Sequence, residues 1–113
     1  MRPAERSKYG AIPTTVDGYR FASKAEARRY GEIKLLEKAG LIEKLMLQER
    51  FLLLVHGVKI GTYVADFSYM DCQGDTPERI VEDVKSRPTR TAVYRLKKKL
   101  VYALYGVEIR EVE

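Results

Sequence analysis

The fold of this chain is decided by residues 63–85, which read YVADFSYMDCQGDTPERIVEDVK. Two runs of alternating apolar and polar side chains meet here, residues 58–70 and residues 79–85. This period of two is typical of β-strands, because successive side chains of a strand point to opposite faces. Residues 71–77 between them are rich in turn formers. We therefore predict a strand or hairpin arm, a loop and a second strand, preceded by another strand within residues 45–55.

Downstream of this stretch, the sequence predicts a helix over residues 91–105 and a last strand over residues 107–112. Pro88 separates the helix from the strand before it, and Gly106 ends the helix. The expected core-facing stripe of the helix consists of four apolar residues, Val93, Leu96, Leu100 and Leu104. A helix that links two strands favours a mixed α/β sheet.

Upstream, the sequence predicts a first helix over residues 23–39, capped by Ser23 and ended by Gly40. Glu26 lies three residues after the cap, at the spacing of a capping box. Its stripe continues at helical steps through Tyr30, Ile33 and Leu36/Glu37. Glu26 is therefore expected to face the body of the protein, where a carboxylate needs a partner.

The start of the chain carries two further predictions. A small hairpin is expected over residues 14–21, because the turn pair Asp17-Gly18 lies between short apolar pieces. Residues 1–10 are basic and polar and lack the apolar segment of a secretory signal, so we expect a flexible basic arm. Residues 11–113 are then one domain. The predicted fold class is α/β, with a mixed central sheet flanked by helices and preceded by the hairpin.

The composition is typical of a folded globular protein without a membrane-spanning segment. The chain has 113 residues, of which 45% are hydrophobic and 33% charged, as in folded globular domains. No apolar run approaches the roughly 20 residues that span a bilayer. A single cysteine, Cys72, allows no internal disulfide. We therefore expect a reducing, cytoplasmic location, which would be the host cytoplasm for a phage-encoded protein.

The net charge of +5 favours a nucleic-acid partner, because cationic side chains release counterions from phosphates. Residues 86–107 contain no Asp or Glu, and their cations are Arg87, Arg90, Arg95, Lys97, Lys98 and Lys99. Arg87 and Arg90 directly follow the strand of residues 79–85 and are the better placed to contact phosphate. For Lys97 and Lys98, a DNA-backbone contact and a solvated helix face are equally compatible with the pattern. Gln48 is either a substrate contact or a polar residue at a strand end.

Four residues suggest a catalytic site. Asp83 and Lys85 are two apart on a strand and share a face. Asp66 is on the preceding strand and would lie beside Asp83 if the two strands pair as a hairpin. Glu26 supplies a third carboxylate from the inward face of the first helix. The alternatives without a catalytic role are a capping-box acid at Glu26 and an exposed ion pair at residues 83 and 85.

This set of side chains suits phosphodiester hydrolysis. Carboxylate oxygens bind Mg²⁺, and Mn²⁺ would satisfy the same ligands. We expect Asp66 and Asp83 as direct ligands, and Glu26 as a ligand directly or through water. The carbonyl of Val84 would complete the shell. Lys85 would orient or deprotonate the attacking water, or neutralise developing charge.

Asp66 followed by Asp83-Val84-Lys85, with Glu26 on an earlier helix, resembles the PD-(D/E)XK nuclease superfamily. The resemblance implies a restriction-endonuclease-like core in the order α-β-β-β-α-β, which matches the predicted elements. Four stretches resemble a family of small phage-borne endonuclease-like proteins: SKAEARRY (23–30), LQERF (47–51), YVADF (63–67) and VEDVK (81–85). Transposon-end endonucleases and phage Holliday-junction resolvases are similar. Two positions depart from the motif, Ala65 in place of Pro and Asp83 in place of the commoner Glu.

The resemblance implies a Mg²⁺-dependent DNA endonuclease that acts on branched DNA, as a Holliday-junction resolvase does. A homodimer would supply two active sites for paired cuts, and a phage replication or recombination protein is a partner that the resemblance allows. One alternative is an endonuclease on duplex or nicked DNA, of the transposon-end or end-processing type. Another is a non-catalytic DNA-binding module with a degenerate nuclease fold. An RNA substrate also stays open.

Overall fold

The computed structural model describes residues 12–113, and the predicted basic arm at residues 1–10 lies outside them. The described chain forms eight strands and two α-helices. In order they are β1 (Thr14–Val16), β2 (Tyr19–Phe21), α1 (Lys24–Lys38), β3 (Ile42–Leu47), β4 (Arg50–Val55), β5 (Val58–Val64), β6 (Phe67–Asp71), β7 (Glu78–Val84), α2 (Ala92–Tyr105) and β8 (Ile109–Val112). A short 3₁₀ helix, Arg87–Thr89, connects β7 to α2.

The centre of the fold is a four-stranded sheet in the order β3-β6-β7-β8. β6 pairs antiparallel with both β3 and β7, and β7 pairs in parallel with β8. A parallel pair needs a crossover connection, and α2 supplies it. The prediction of an α/β fold with a mixed sheet and two helices is therefore confirmed. The hairpin over residues 14–21 is confirmed as well, since β1 and β2 pair antiparallel.

The strands between the two helices number five, not the three predicted. The expected strand within residues 45–55 is divided between β3 and β4, which separate at Gln48, where the backbone has φ of +56°. The expected strand of residues 58–70 is divided between β5 and β6. β4 and β5 form their own two-stranded hairpin, inserted between β3 and β6.

The two breaks lie opposite each other. The Gln48 amide donates to the Asp66 carbonyl at 3.2 Å, and the Ala65 amide donates to the Glu49 carbonyl at 3.0 Å. Both arms therefore bend together, and the chain passes from one hydrophobic cluster to another between Ala65 and Phe67. Alternation alone hides such a bend, because apolar residues continue on both sides of it. Asp66 thus lies at a bend and not in the middle of a strand.

Helix α1 agrees closely with its prediction. The Ser23 hydroxyl oxygen accepts a hydrogen bond from the Glu26 amide at 3.1 Å, which caps the helix. Gly40 has φ of +75°, a left-handed conformation that suits glycine at a helix end. The buried face carries Tyr30 and Ile33, which pack with Phe21, Phe67, Tyr69 and Ile80 in the first cluster.

For helix α2, the predicted core-facing stripe is wrong for three of its four residues, and only Leu100 is partly buried and packs against the core. Val93 and Leu96 are 63% and 56% exposed, and Leu104 is exposed as well. The buried residues are Tyr94 and Val101, which pack with Phe51, Leu53, Tyr63, Ala65, Val81 and Ile109 in the second cluster. Lys97 lies on this inner side, because its ammonium donates to the Thr62 carbonyl at 3.0 Å. In the described part of the chain, neither helix has the length and apolar composition needed to cross a bilayer.

Candidate active site

Asp66 and Asp83 are brought together by the antiparallel pairing of β6 and β7. The ladder pairs Phe67 with Glu82, so its next step sets the two aspartates side by side. The Asp66 amide donates to Asp83 Oδ1 at 3.0 Å, and the Val84 amide donates to Asp66 Oδ2 at 2.8 Å. The two carboxylates are thus fixed relative to each other by backbone donors of the neighbouring chain segment.

Asp83 has a further donor that sequence analysis missed. Its side chain is 1% exposed, and its Oδ2 accepts a hydrogen bond from the Tyr63 hydroxyl group. In one continuous strand, alternation would place Tyr63 and Asp66 on opposite faces. The bend after Ala65 removes that relation and lets both residues reach Asp83.

Glu26 joins the aspartates from the first turn of α1. Its carboxylate accepts a hydrogen bond from the Ala22 amide at 3.3 Å, and the residue is buried. Burial raises the pKa of Glu26 to about 7, and the nearby Asp66 carboxylate contributes to the rise. A carboxylate that shares a buried space with another holds its proton more tightly. Glu26 and Asp66 are therefore neighbours, as the sequence predicted.

The pKa values of the two aspartates are raised as well. Burial raises the pKa of Asp83 to about 6, and the Lys85 ammonium offsets part of this effect. Burial also raises the pKa of Asp66, while the Val84 amide and Lys85 act in the opposite direction. Buried carboxylates with raised pKa values are typical of functional sites, because desolvated negative charges call for a cation or a proton.

Lys85 lies on the same face of β7 as Asp83, next to α2. Its Nζ lies 4.6 Å from the centre of the Tyr94 ring, in a cation–π contact. Tyr94 is buried, and its hydroxyl group donates to Glu111 at 2.8 Å. The Tyr94 ring is thus fixed by helix α2 at one end and by the bond from its hydroxyl group to Glu111 at the other. The ring in turn holds the Lys85 ammonium beside the aspartates. Sequence analysis did not connect Tyr94 with Lys85.

A cleft of about 320 Å³ opens beside Glu26 and Asp66. The β1–β2 hairpin forms one wall, including Arg20, and the bend after β3 contributes Gln48. Gln48 therefore lies at the candidate site and also directly after the end of β3, which agrees with both interpretations of this residue. Arg20 was missed, and its position next to the predicted hairpin turn was the signal available for it. It brings a positive charge to a cleft that holds two carboxylates.

Glu82 is excluded from the cluster, because alternation along β7 turns it to the face opposite Asp83 and Lys85. It lies on the α1 face of β7, fully buried. Its two carboxylate oxygens accept from Arg29 at 2.6 and 3.0 Å, and the Tyr69 hydroxyl group donates to it at 2.9 Å. These bonds satisfy the carboxylate inside the core, so Glu82 has a structural role.

The predicted DNA contacts are distributed over several places. Arg90 bonds to Glu111 at 3.0 Å and to Glu113 at 3.1 Å, and Lys98 bonds to Glu111 at 3.2 Å. Lys97 lies on the inner side of α2, bonded to Thr62. Its ammonium is therefore engaged within the fold, although the residue is still partly exposed. Arg87 is exposed on the short 3₁₀ helix that follows the candidate site.

The oxygen atoms of the candidate site are of the type that a divalent cation requires. Glu26, Asp66 and Asp83 supply carboxylate oxygens, the ligands that Mg²⁺ and Mn²⁺ prefer. Their raised pKa values show that burial disfavours the charged carboxylates, and a bound cation would offset this cost. Among the residues that the structure describes, no group of three His, Cys, Asp or Glu side chains is already gathered in metal-holding geometry. The residues thus fit a metal in chemical type, with side-chain adjustment on binding.

Comparison with known proteins gives one match. No curated protein and no solved structure matches the chain. A family model does match, over residues 6–111, and its description is "Protein of unknown function (DUF1064)". That range contains α1, α2, the central sheet and the four residues of the candidate site. The chain therefore belongs to the DUF1064 family.

Proposed function

We propose that this protein is a divalent-metal-dependent DNA endonuclease of the PD-(D/E)XK type. One observation carries the proposal: Asp66 and Asp83 are interlocked by backbone hydrogen bonds at 3.0 and 2.8 Å. Lys85 follows Asp83 by two residues, and Glu26 adds a third buried carboxylate. Three carboxylates and one ammonium in one place suit metal-assisted phosphodiester hydrolysis better than they suit a core.

The topology supports the same proposal. When the two inserted hairpin strands are set aside, the elements of the central unit follow the order α1, β3, β6, β7, α2, β8. This is the α-β-β-β-α-β order of a restriction-endonuclease-like core. The candidate site lies where β6 starts and β7 ends. We therefore propose this core for the fold.

In this proposal, Asp66 and Asp83 hold Mg²⁺, with Glu26 as a ligand directly or through water and the Val84 carbonyl as a further ligand. When bound, the metal lowers the pKa of a water molecule and stabilises charge on the phosphate. Tyr63 holds the Asp83 carboxylate by donating to it, which leaves the other lone pairs of that carboxylate for the metal.

The remaining residues act on the substrate. The Lys85 ammonium, held over the Tyr94 ring, orients the attacking water or neutralises developing negative charge. Arg20 and Gln48 line the cleft on its other side and are placed to bind the phosphodiester that enters it. Arg87 extends the positive surface beyond the end of β7.

We further propose branched DNA as the substrate and a homodimer as the active form. Exposed apolar side chains support the dimer: Val93 and Leu96 on α2 are 63% and 56% exposed, and Val58 and Ile60 on β5 are 61% and 55% exposed. Such surface is favourable to bury against a second copy of the chain. Two sites related by a two-fold axis would cut both strands of a branch.

The test is a cleavage assay on a four-way junction and on a linear duplex of matched sequence, with Mg²⁺, Mn²⁺ or EDTA. Wild type is compared with Asp83→Ala and Lys85→Ala, and Asp75→Asn in the exposed loop after β6 is the control. The proposal predicts metal-dependent cutting that both site variants lack and the control keeps. A preference for the junction supports the resolvase-like role, whereas equal activity on the duplex favours the end-processing type.

A second candidate function is a DNA-binding module without catalysis. It is favoured by the bonds that Asp66 and Asp83 already make to protein donors, which resemble a satisfied polar cluster. This candidate predicts DNA binding by the wild type and no cleavage with either metal. The same assay therefore separates the two candidates.

A further inference from the structure

Helix α2 carries a stripe of three cations and one tyrosine. Arg95, Lys98, Lys99 and Tyr102 are spaced at i, i+3, i+4 and i+7 and therefore lie on one side of the helix. This side forms one wall of a groove of about 580 Å³, and Ile109 and Glu111 of β8 contribute to the opposite wall. The groove is separate from the cleft that contains Glu26 and Asp66.

The groove retains positive charge. Lys98 and Arg90 are paired with Glu111, and Glu108 also lines the groove, so its four cations face two carboxylates. Arg95 donates one hydrogen bond to the Arg90 carbonyl, which leaves its charge uncompensated. In the described chain, neither Arg95 nor Lys99 has a salt-bridge partner, and both are exposed. The two free cations are placed to bind phosphate.

Tyr102 lies among these cations and is 62% exposed. Several other tyrosines in the described chain are used by the fold, as Tyr30, Tyr63, Tyr69 and Tyr94 show by their burial. An aromatic ring that is open to solvent between cations suits a nucleobase, because every base has a face that stacks. A base is free to stack only where the nucleic acid is unpaired.

The groove and the candidate site lie next to each other, because the neighbouring strands β7 and β8 of the central sheet contribute to them. Glu111 is the partner of Asp83 in the parallel β7–β8 ladder, where neighbouring strands are about 4.8 Å apart. Glu111 also accepts from the Tyr94 hydroxyl group, and the Tyr94 ring carries Lys85. A strand held in the groove would therefore run past the end of β7 on which Asp83 and Lys85 lie.

We infer that the groove between α2 and β8 binds a single-stranded DNA segment, with Tyr102 stacking on a base and with Arg95 and Lys99 on its phosphates. The binding stands on these residues alone. That the segment is an unpaired arm of the substrate, held next to the bond to be cut, rests on the proposed nuclease function.

The test is binding in EDTA, measured by fluorescence anisotropy with a labelled oligothymidylate and with a blunt duplex of the same length. The variants are Tyr102→Ala, Tyr102→Phe and the pair Arg95→Gln/Lys99→Gln. Lys38→Gln/Lys59→Gln is a control that removes the same charge from exposed positions elsewhere. An oligouridylate in the same series tests whether RNA binds in place of DNA.

We expect Tyr102→Ala to weaken oligothymidylate binding by about ten-fold, with little change for the duplex and with affinity kept in Tyr102→Phe. The double substitution Arg95→Gln/Lys99→Gln removes two phosphate contacts. It should therefore reduce the slope of log affinity against log salt concentration for the single strand by about 1.4, whereas the control double substitution should leave this slope unchanged. Equal losses on duplex and single strand, no effect of Tyr102→Ala, or tighter binding of oligouridylate would overturn the inference. Because the assay measures binding in EDTA and not cleavage, the groove can bind single-stranded DNA as proposed even if the protein proves not to be a nuclease.

Discussion

Asp66 and Asp83 each accept a hydrogen bond from the backbone beside the other: the Asp66 amide reaches Asp83 Oδ1 at 3.0 Å, and the amide that follows Asp83 reaches Asp66 Oδ2 at 2.8 Å. The pair is therefore preorganised by the fold, before any ligand enters. These backbone donors hold the two carboxylates side by side, and the side chains of the site would still adjust when a cation binds.

Without metal, the stability of the protein should fall as the pH rises from about 4 to about 8. The pKa of Glu26 is raised to about 7 and that of Asp83 to about 6, so the folded protein binds more protons than the unfolded chain in this range. The stabilising contribution of these protons is complete at low pH and is lost as the pH passes through the folded pKa values.

Glu26→Gln tests the assignment of this pH dependence, because it replaces the titrating group with a neutral one of the same size. Urea unfolding in EDTA should show a flatter dependence on pH and a higher unfolding free energy than wild type at pH values above 7. Glu43→Gln, at an exposed position of β3, is the matched control. An unchanged pH dependence in Glu26→Gln would contradict the burial of an ionisable Glu26.

Adjacent residues of β7 should respond in opposite ways to substitution. Glu82→Ala leaves Arg29 without its buried partner, and we expect it to lower the unfolding free energy by about 3–5 kcal/mol. Asp83→Asn removes a desolvated charge and should leave metal-free stability near that of wild type or above it. Denaturant titrations in EDTA measure both. A loss for Asp83→Asn as large as that for Glu82→Ala would mean that Asp83 is a structural residue.

Tyr94 is predicted to position Lys85 through its ring. Tyr94→Phe keeps the ring and loses the bond to Glu111, whereas Tyr94→Leu loses the ring as well. A cation–π contact of about 1 kcal/mol corresponds to a further loss of about five-fold in the cleavage rate constant of the Leu variant relative to Phe. Single-turnover rates over a range of pH provide the measurement. Equal rates for the two variants would show that the ring does not act on Lys85.

The proposed dimer should depend on the exposed apolar side of α2. Leu96→Glu places a charge on that side and should shift the mass measured by light scattering from dimer to monomer. Leu35→Glu, at a leucine of α1 that is 68% exposed, is the same substitution on another surface and should leave the mass unchanged. A wild-type protein that is monomeric at all concentrations would rule out the dimer.

The sequence predicted the elements that depend on local rules. Ser23 and Gly40 bound α1 as expected, since caps and left-handed ends have strong residue preferences. The pairing of Asp66 with Asp83 was also predictable, because a hairpin across one loop fixes which residues face each other. The closeness of Asp66 to Asp83, and of Glu26 to Asp66, followed from these local elements.

Other features depend on packing between distant parts of the chain. The bend at Gln48 and Asp66 arises because two arms turn together, which alternation within one arm does not reveal. Helix α2 faces the core with Tyr94 and not with Leu96, because the space beside β4 and β5 is filled by aromatic rings. For the same reason, the hydrogen bond from Tyr63 to Asp83 and the cation–π contact of Lys85 with the Tyr94 ring were not predicted.

The most direct test of the central claim is nicking of supercoiled plasmid DNA, since one cut anywhere in the molecule changes its mobility. Wild type, Asp83→Asn and the loop control Asp75→Asn would be incubated with increasing Mg²⁺ and, in parallel, with EDTA. We predict nicking that rises with Mg²⁺ for the wild type and the control, and no nicking for Asp83→Asn or in EDTA. Nicking by Asp83→Asn at the wild-type rate, or nicking in EDTA, would contradict a metal site built on Asp66 and Asp83.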